Sequence, residues 1–542
     1  MADKSYDVVC VGAGNKNLVA ACYALKYGGL SVGLFDERHE AGAGWSTEES
    51  PAPGFLANHC SQVHLMNYYT LFFEDFPEID QMVERSYPPL YATAVFPDGT
   101  WIGQYSIHDD PNQERTAKSI ARFSERDAET YVNWHRTFRK YWLEAWLESQ
   151  WSPPPGPGEV GPLEKVFRNP EAGLDPAWRF MSMAQIMADI FESLEMQLLG
   201  LRGVQSAGPM PDEPGLGLVG LTMLSQREPI IIRGGNHGMA HACARVIQRH
   251  GGKIFTNKKV EKILIENGRA RGIRLVDGTE IEAKVAVLSG VNPSQLVFDL
   301  TGPEHWSPRT VRRVKNLQSH MTCISWYTWA LQEHPNYIAE DFDPDLHQSV
   351  WMNLGGKDIN YVLNEVWRRR MGQWPDPEKF NLIVSNYSII DPTFAPPGKS
   401  AILTEQYVLP ATAFSEEEWK EIAKRHADEI IRFWGKYAPN VNWDNVIGYV
   451  PVTPHFTLKH SSNYGPSGNW HIIDLIPCQV GPFRPTPELA NIRNFPIKNL
   501  YPASAAWGLM PGANACQGYV AYKVMAEHFD LPRPWEERGR PY

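Results

Sequence analysis

Apolar residues cluster first near the start of the chain. Tyr6 to Val11 is a short, largely apolar run rich in β-branched residues, which predicts a buried strand. Gly12-Ala13-Gly14 follows as a turn. An alanine-rich pattern then predicts a helix over Leu18 to Tyr27, stopped by Gly28 and Gly29. A second apolar run, Ser31 to Phe35, predicts another strand and ends in Asp36. Strand, glycine turn, helix, strand and acid make up a dinucleotide-binding unit. Gly12 permits the tight turn. Gly14 lets the backbone approach a pyrophosphate, which the free N–H groups and dipole of a helix N-terminus favour. Asp36, 24 residues after Gly12, is placed to accept hydrogen bonds from a ribose. Asn17 stands where the third glycine of GxGxxG would fall. Its side chain must turn away or bond locally.

Further along, an amphipathic pattern rich in Trp and Tyr predicts a helix from about Glu125 to Glu148. Ser152 to Pro162 reads as a surface linker, and helices are expected near Trp178 to Phe191 and Leu194 to Gln205. The glycine-rich Arg233 to Gly238 leads into a helix over Met239 to Arg249. A strand meander follows, with turns at Asn267-Gly268 and Asp277-Gly278. Val285 to Ser289 is a continuous apolar run, as expected of a strand returning to a buried parallel sheet. His320 to Gln332, Phe380 to Ile389 and Ser400 to Leu409 predict further strands, and Glu416 to Tyr437 a helix. From about Gly512 another helix is expected. The fold class is therefore α/β: a two-dinucleotide-binding-type (Rossmann-like) domain, discontinuous in sequence, with an inserted mixed α+β substrate domain. The expected parts of the first are residues 1–75, 226–300 and 461–542. Residues 76–225 form a helical insertion and part of the substrate domain, and 301–460 the rest of it.

Composition narrows the partners. A net charge of −11 over 542 residues disfavours nucleic acid, which wants a basic field. No stretch of 18 apolar residues is present, so no transmembrane helix is expected. MADKSYD passes straight into the first strand, which argues against a signal peptide. The seven cysteines are scattered, as in a cytoplasmic protein with reduced thiols. His59, Cys60 and His64 fall close together but lack a fourth ligand and zinc spacing, so no metal is expected. The 19 tryptophans fit either a large aromatic core or a cavity for a flat or long apolar ligand.

Taken in order, these segments resemble the phytoene-desaturase-like FAD oxidoreductases over nearly the whole chain. The loop GAGNKNLVAA is similar to the family's GAGxxGLVAA. Asp36, Arg38 and Gly42 look like its acid–arginine–glycine run. The segments RGGNHGMAHACARVIQRHGGKI and VEKILIENGRARGIRLVDGTEIEAKVAVLSGVNP, and the tail NLYPAS…GANACQGY, fall in the family's order. The resemblance implies non-covalent FAD in an extended pose. Gly12, Gly14 and Asn17 would line its pyrophosphate. Asp36 would hold the adenosine ribose, with Arg38 near the adenine or phosphate and Val260 bonding adenine through its backbone. Gly42 to Ser46 would follow the ribitol, and Ser504 would meet the pyrophosphate and ribitol. The amides of Gly512, Ala513 and Asn514 would serve the flavin. The chain departs from the family at Asn17, Ala43, Ala503 and the segment Gly508 to Pro511.

The implied function is a dehydrogenase or desaturase that moves a hydride from an apolar, aromatic or isoprenoid-like substrate to flavin N5. Oxygen, a quinone or a partner protein would reoxidise the flavin. A redox-neutral flavoprotein isomerase and a cofactor-free binding relative are the alternatives, and the protein's colour separates the last from the others. Trp507, Leu509 and Met510 are expected to shape substrate access. His59, His64 and His237 are the candidate acid–base groups. The expected location is the cytoplasm, with peripheral contact to a membrane left open.

Overall fold

The computed structural model describes residues 4–60, 63–156, 158–225, 228–459, 463–509, 512–540 and 542. Two seven-stranded sheets organise it. The first is laid down by the N-terminal unit. Strand Ser5–Val11 pairs in parallel with Val32–Phe35 on one side and Glu280–Ser289 on the other. Lys253–Phe255 extends the Val32–Phe35 side. The meander Val260–Glu266 and Arg269–Leu275 joins the N-terminal half of Glu280–Ser289 in antiparallel fashion. The C-terminal half of that strand pairs in parallel with Leu500–Pro502. This domain is therefore assembled from three distant stretches of chain. Helix α1, Asn15–Lys26, packs on the sheet, and eleven of its twelve residues are buried. That explains its alanine content: small side chains let helix and sheet approach closely. It ends one residue before Tyr27. The amides of Tyr27 and Gly28 return to the carbonyl of Tyr23, and Gly29 takes φ +63° to turn the chain.

The second sheet runs Val446–Val452, Ile324–Leu331, Ser400–Tyr407, Leu382–Asn386, Met352–Leu354, Leu90–Val95 and Trp101–Tyr105. The aromatic stretch divides between its two faces, as period-two alternation requires. Tyr327 and Trp329 pack with Ala427, Ile430 and Trp434 of helix Glu416–Trp434. Ile324 and Trp326 belong instead to the opposite cluster, with Ile383, Leu403 and Tyr407. The helices between residues 114 and 225 gather around a third cluster, built on Trp134, Phe138, Trp146, Met187 and Leu198. The helix expected from Glu125 begins at Glu125, capped by Ser124 Oγ, 3.1 Å from the Asp127 amide. A π-helical turn at Phe138–Trp142 interrupts it before Leu143–Trp151.

The closing helix starts at Cys516, four residues later than the pattern implied. Gly512 takes φ +101°, outside any right-handed helix, and Asn514 Oδ1 accepts from the Cys516 amide at the true start. Just before it, fully buried Arg484 donates to the carbonyls of His471, Ile473, Gln479 and Ala505. It thus ties residues 471–479 to the closing segment. No helix among the described residues is long and apolar enough to cross a membrane.

Candidate active site

The glycine turn holds one end of a cleft. Gly14 is the N-cap of α1, in extended conformation, with no side chain on the helix end. The substitution at Asn17 is resolved locally. Its Nδ2 donates to the carbonyls of Val11, 2.9 Å, and Gly12, 2.8 Å, at the end of the first strand. It occupies the space against Gly290, where a Cβ would lie 2.9 Å from Nδ2. Asn17→Gly should therefore cost about 1–2 kcal/mol of apoprotein stability, because the buried Val11 carbonyl and the part-buried Gly12 carbonyl each lose a donor. Urea denaturation of the two apoproteins measures this, and a neutral or stabilising result would refute the role given to the amide.

Asp36 is held by the same turn. Its Oδ2 accepts from the Ala13 amide at 2.6 Å and its Oδ1 from the Arg38 amide at 2.8 Å. Burial pushes its carboxyl up, while these amides and the Arg38 guanidinium pull it down. Arg38 pairs with Glu40 at 3.5 Å and keeps a buried Nη1 without a partner. Asp36, Arg38 and Val260 line one cavity of about 820 Å³. Gly42 takes φ +124°, donates to the Ala13 carbonyl and bridges Gly14. Ser46 is buried with an unpartnered hydroxyl, outside the walls of the cleft.

A second cavity continues from the first, sharing Gly14, Ala43, Gly290, Asn292 and Asn463 as walls. Ser504, Gly512 and Ala513 line it, so the N-terminal and closing segments meet there. Three successive carbonyls of the closing loop, Gly512, Ala513 and Asn514, accept from Lys16 Nζ, Tyr69 Oη and Asn15 Nδ2. With its carbonyls tied back, the loop can turn the Gly512 and Ala513 amides towards the cavity; the Asn514 amide, expected to serve the flavin, instead donates to the Gly512 carbonyl at 3.1 Å. The remaining wall comes from Trp351, Trp470 and, on the second sheet, Trp326 and Glu405.

The three histidines lie elsewhere. His64 is fully buried, with Nε2 2.9 Å from Asn236 Oδ1 and Nδ1 2.8 Å from Tyr69 Oη. Burial pulls it down to about 4, so it is neutral at ordinary pH and braces the tyrosine that holds the loop. His59 Nε2 sits 3.4 Å from Glu48. His237 Nε2 faces the Ala41 carbonyl at 3.3 Å, and its ring lies 4.3 Å from that of His241. Trp507 is buried in the first core, its indole donating to the Leu489 carbonyl at 3.0 Å. Leu509 packs on the helical cluster, and Met510 is outside the described residues.

Lys16, Tyr69 and Glu405 were not singled out from the sequence. Lys16 lies inside the glycine motif itself, where a first-turn lysine normally reads as solvated. Glu405 sits in the polar trio Thr404-Glu405-Gln406 of a strand buried at every position, and that trio is its only sequence signal. Burial pulls the Lys16 amine down to about 7 from 10.5. Between those values the unfolded chain binds more protons than the folded one, so apoprotein stability should rise as pH increases from 7 to 10. Lys16→Met should flatten that rise. Denaturation midpoints at several pH values check it, and parallel curves for the two proteins would count against a buried, largely neutral amine.

The cleft suits an extended dinucleotide on three observations: an open helix end at Gly14, an amide-oriented carboxylate at Asp36, and a channel linking both to an aromatic chamber. A family model for flavin-containing amine oxidoreductases matches residues 197–449. One of the subunits of the limonene dehydrogenase of Castellaniella defragrans is 24% identical, over 98% of this chain and 97% of that protein. The zeta-carotene-forming phytoene desaturase of Myxococcus xanthus is 26% identical, over 48% of this chain and 46% of its own. The crystal structure of an oxidoreductase from Methanosarcina mazei superposes with a TM-score of 0.59 at 17% identity, covering 96% of this chain and 99% of that one. The joined glycine turn, acid and closing loop, together with these likenesses, identify the chain as an FAD-dependent oxidoreductase, similar in sequence to a limonene dehydrogenase subunit and to phytoene desaturases.

Proposed function

We propose that the protein is a dehydrogenase that oxidises a C–H bond of an apolar substrate held in the tryptophan-walled chamber. The observation that carries this reading is the shared wall. The chamber lined by Trp326, Trp351 and Trp470 opens onto the same glycine loops as the cleft that reaches Asp36. In this reading Asp36 and Arg38 hold the adenosine end, with the backbone of Val260. Gly12, Gly14 and Asn17 border the pyrophosphate at the N-terminus of α1. Gly42 and Ser504 follow the ribityl chain, and the loop at Gly512 and Ala513 supplies amides to the ring. Bound there, FAD supplies a two-electron oxidant that accepts hydride. The chain's own work is to orient the substrate between indole faces and to keep water out. Alkenes of the limonene and phytoene type are the first candidates, because two similar proteins carry those names.

The test is direct. The purified protein is denatured, the released cofactor identified, and the FAD-loaded protein mixed anaerobically with limonene and with phytoene. Loss of the visible flavin absorbance, with a product two hydrogens lighter, supports the reading. A product of unchanged mass would point to isomerisation instead. A protein that cannot be loaded with FAD would overturn it. Reoxidation by air or by an added quinone then identifies the acceptor class.

A further inference from the structure

The chamber contains a single carboxylic acid among its described wall residues, Glu405. It projects from the second sheet beside Trp326, its cross-strand neighbour, whose Nε1 donates to Glu405 Oε1 at 2.6 Å. The facing walls are the glycine loops, Gly44, and the closing residues Ser504, Gly512 and Ala513. A substrate in the chamber therefore sits between the cofactor loops, which belong to one domain, and a carboxyl from the other.

We propose that Glu405 is the general base that takes the proton lost by the substrate when its C–H bond is oxidised. This rests on the dehydrogenase reading above. A dehydrogenation removes two hydrogens from adjacent carbons. One leaves with its electron pair as hydride to the oxidant. The other leaves as a proton, which forms the O–H bond of the Glu405 carboxyl. The electrons of that second C–H bond become the new π bond, so charge and atoms balance.

The surroundings suit a base of this kind. Burial among indoles pushes Glu405 up to about 8, with only the Trp326 N–H working the other way. A carboxylate in a dry site is a stronger base than one in water. Other titratable groups near it are the phenols of Tyr387 and Tyr407, both held neutral by burial. The Arg369 guanidinium lies beyond the Tyr407 ring, 4.9 Å from its centroid. Lys16 is on the opposite wall, bonded to the Gly512 carbonyl. None of these forms an ion pair with the carboxyl, so it is free to cycle between acid and base.

The test needs neither the natural substrate nor turnover of the cofactor. The probe is 5-nitrobenzisoxazole, a flat aromatic that loses a ring proton to a base and opens to a coloured cyanonitrophenolate. With the FAD-loaded wild-type protein, the rate should climb as pH passes through about 8 and then level off, because the carboxylate is the active form. Glu405→Gln should lower the plateau about a hundredfold or more, and Glu405→Asp should retain part of it. Infrared pH titration of the wild type should show a protonated-carboxyl band that disappears over the same range and is missing in Glu405→Gln. That measurement stands even if a variant folds poorly. Equal elimination rates in wild type and Glu405→Gln, or no carboxyl band titrating near that pH, would overturn the assignment. Failure of the dehydrogenase reading shows separately, as FAD that no alkene bleaches.

Discussion

Asp36→Ala should purify nearly colourless. The carboxylate does two jobs in the folded chain. It accepts from the Ala13 amide and from the Arg38 amide, and so fixes the glycine turn and the residues after the second strand. In the proposed complex it also accepts from the adenosine ribose. A hydrogen bond to a charged group contributes about 1.5–3 kcal/mol, and the loosened turn adds to that loss. We expect about 3 kcal/mol, or roughly a hundredfold in the FAD dissociation constant. Fluorescence titration of the apoprotein with FAD measures it. Asp36→Asn keeps the shape and one acceptor, and should fall between the two. A dissociation constant for Asp36→Ala within about twofold of wild type would place the adenosine elsewhere.

Arg484→Met should be the most damaging single change to stability. The guanidinium is fully buried and satisfies four main-chain carbonyls, those of His471, Ile473, Gln479 and Ala505. Methionine fills much of the volume but donates nothing, so those carbonyls are left dry and unpaired. Charged hydrogen bonds of this type support a loss of about 4 kcal/mol, after allowing for the desolvation that methionine no longer suffers. The denaturant midpoint should fall, and FAD should be lost along with it, because Ala505 adjoins Ser504 on the chamber wall. A midpoint shift of under about 1 kcal/mol would mean that water replaces the arginine in those bonds.

The dinucleotide unit was legible almost to the residue because its signals are local. The observed strands, Ser5–Val11 and Val32–Phe35, match their apolar runs within one residue. Helix α1 begins three residues before the predicted Leu18, since Gly14 rather than a polar residue caps it. The aromatic stretch was read correctly as a strand, but composition could not say whether it faced a core or a cavity. Tertiary pairing gives both answers: Trp326 lines the chamber while Trp329 lies in the core. Long-range pairing was invisible. Leu90–Val95 and Trp101–Tyr105 lie inside the expected helical insertion and find their sheet through Met352–Leu354, far along the chain. The same holds for Glu405. Nothing in AILTEQY distinguishes a solvated edge position from a carboxyl facing a dry chamber, because that depends on which loops cover the sheet.

The side chain of Asn15 meets the carbonyl of Asn514 across 499 positions of sequence, and the strand at Leu500–Pro502 completes the first sheet equally late. A ribosome has therefore released most of the polypeptide before either wall of the cofactor cleft can close. The nascent protein must hold a half-built sheet, with Glu280–Ser289 exposed along one edge, until its last partner emerges. Such an edge invites pairing with other chains. Closure around the cofactor thus waits on residues 500–514, and cellular FAD supply and chaperone access should influence how much of this protein reaches its native state.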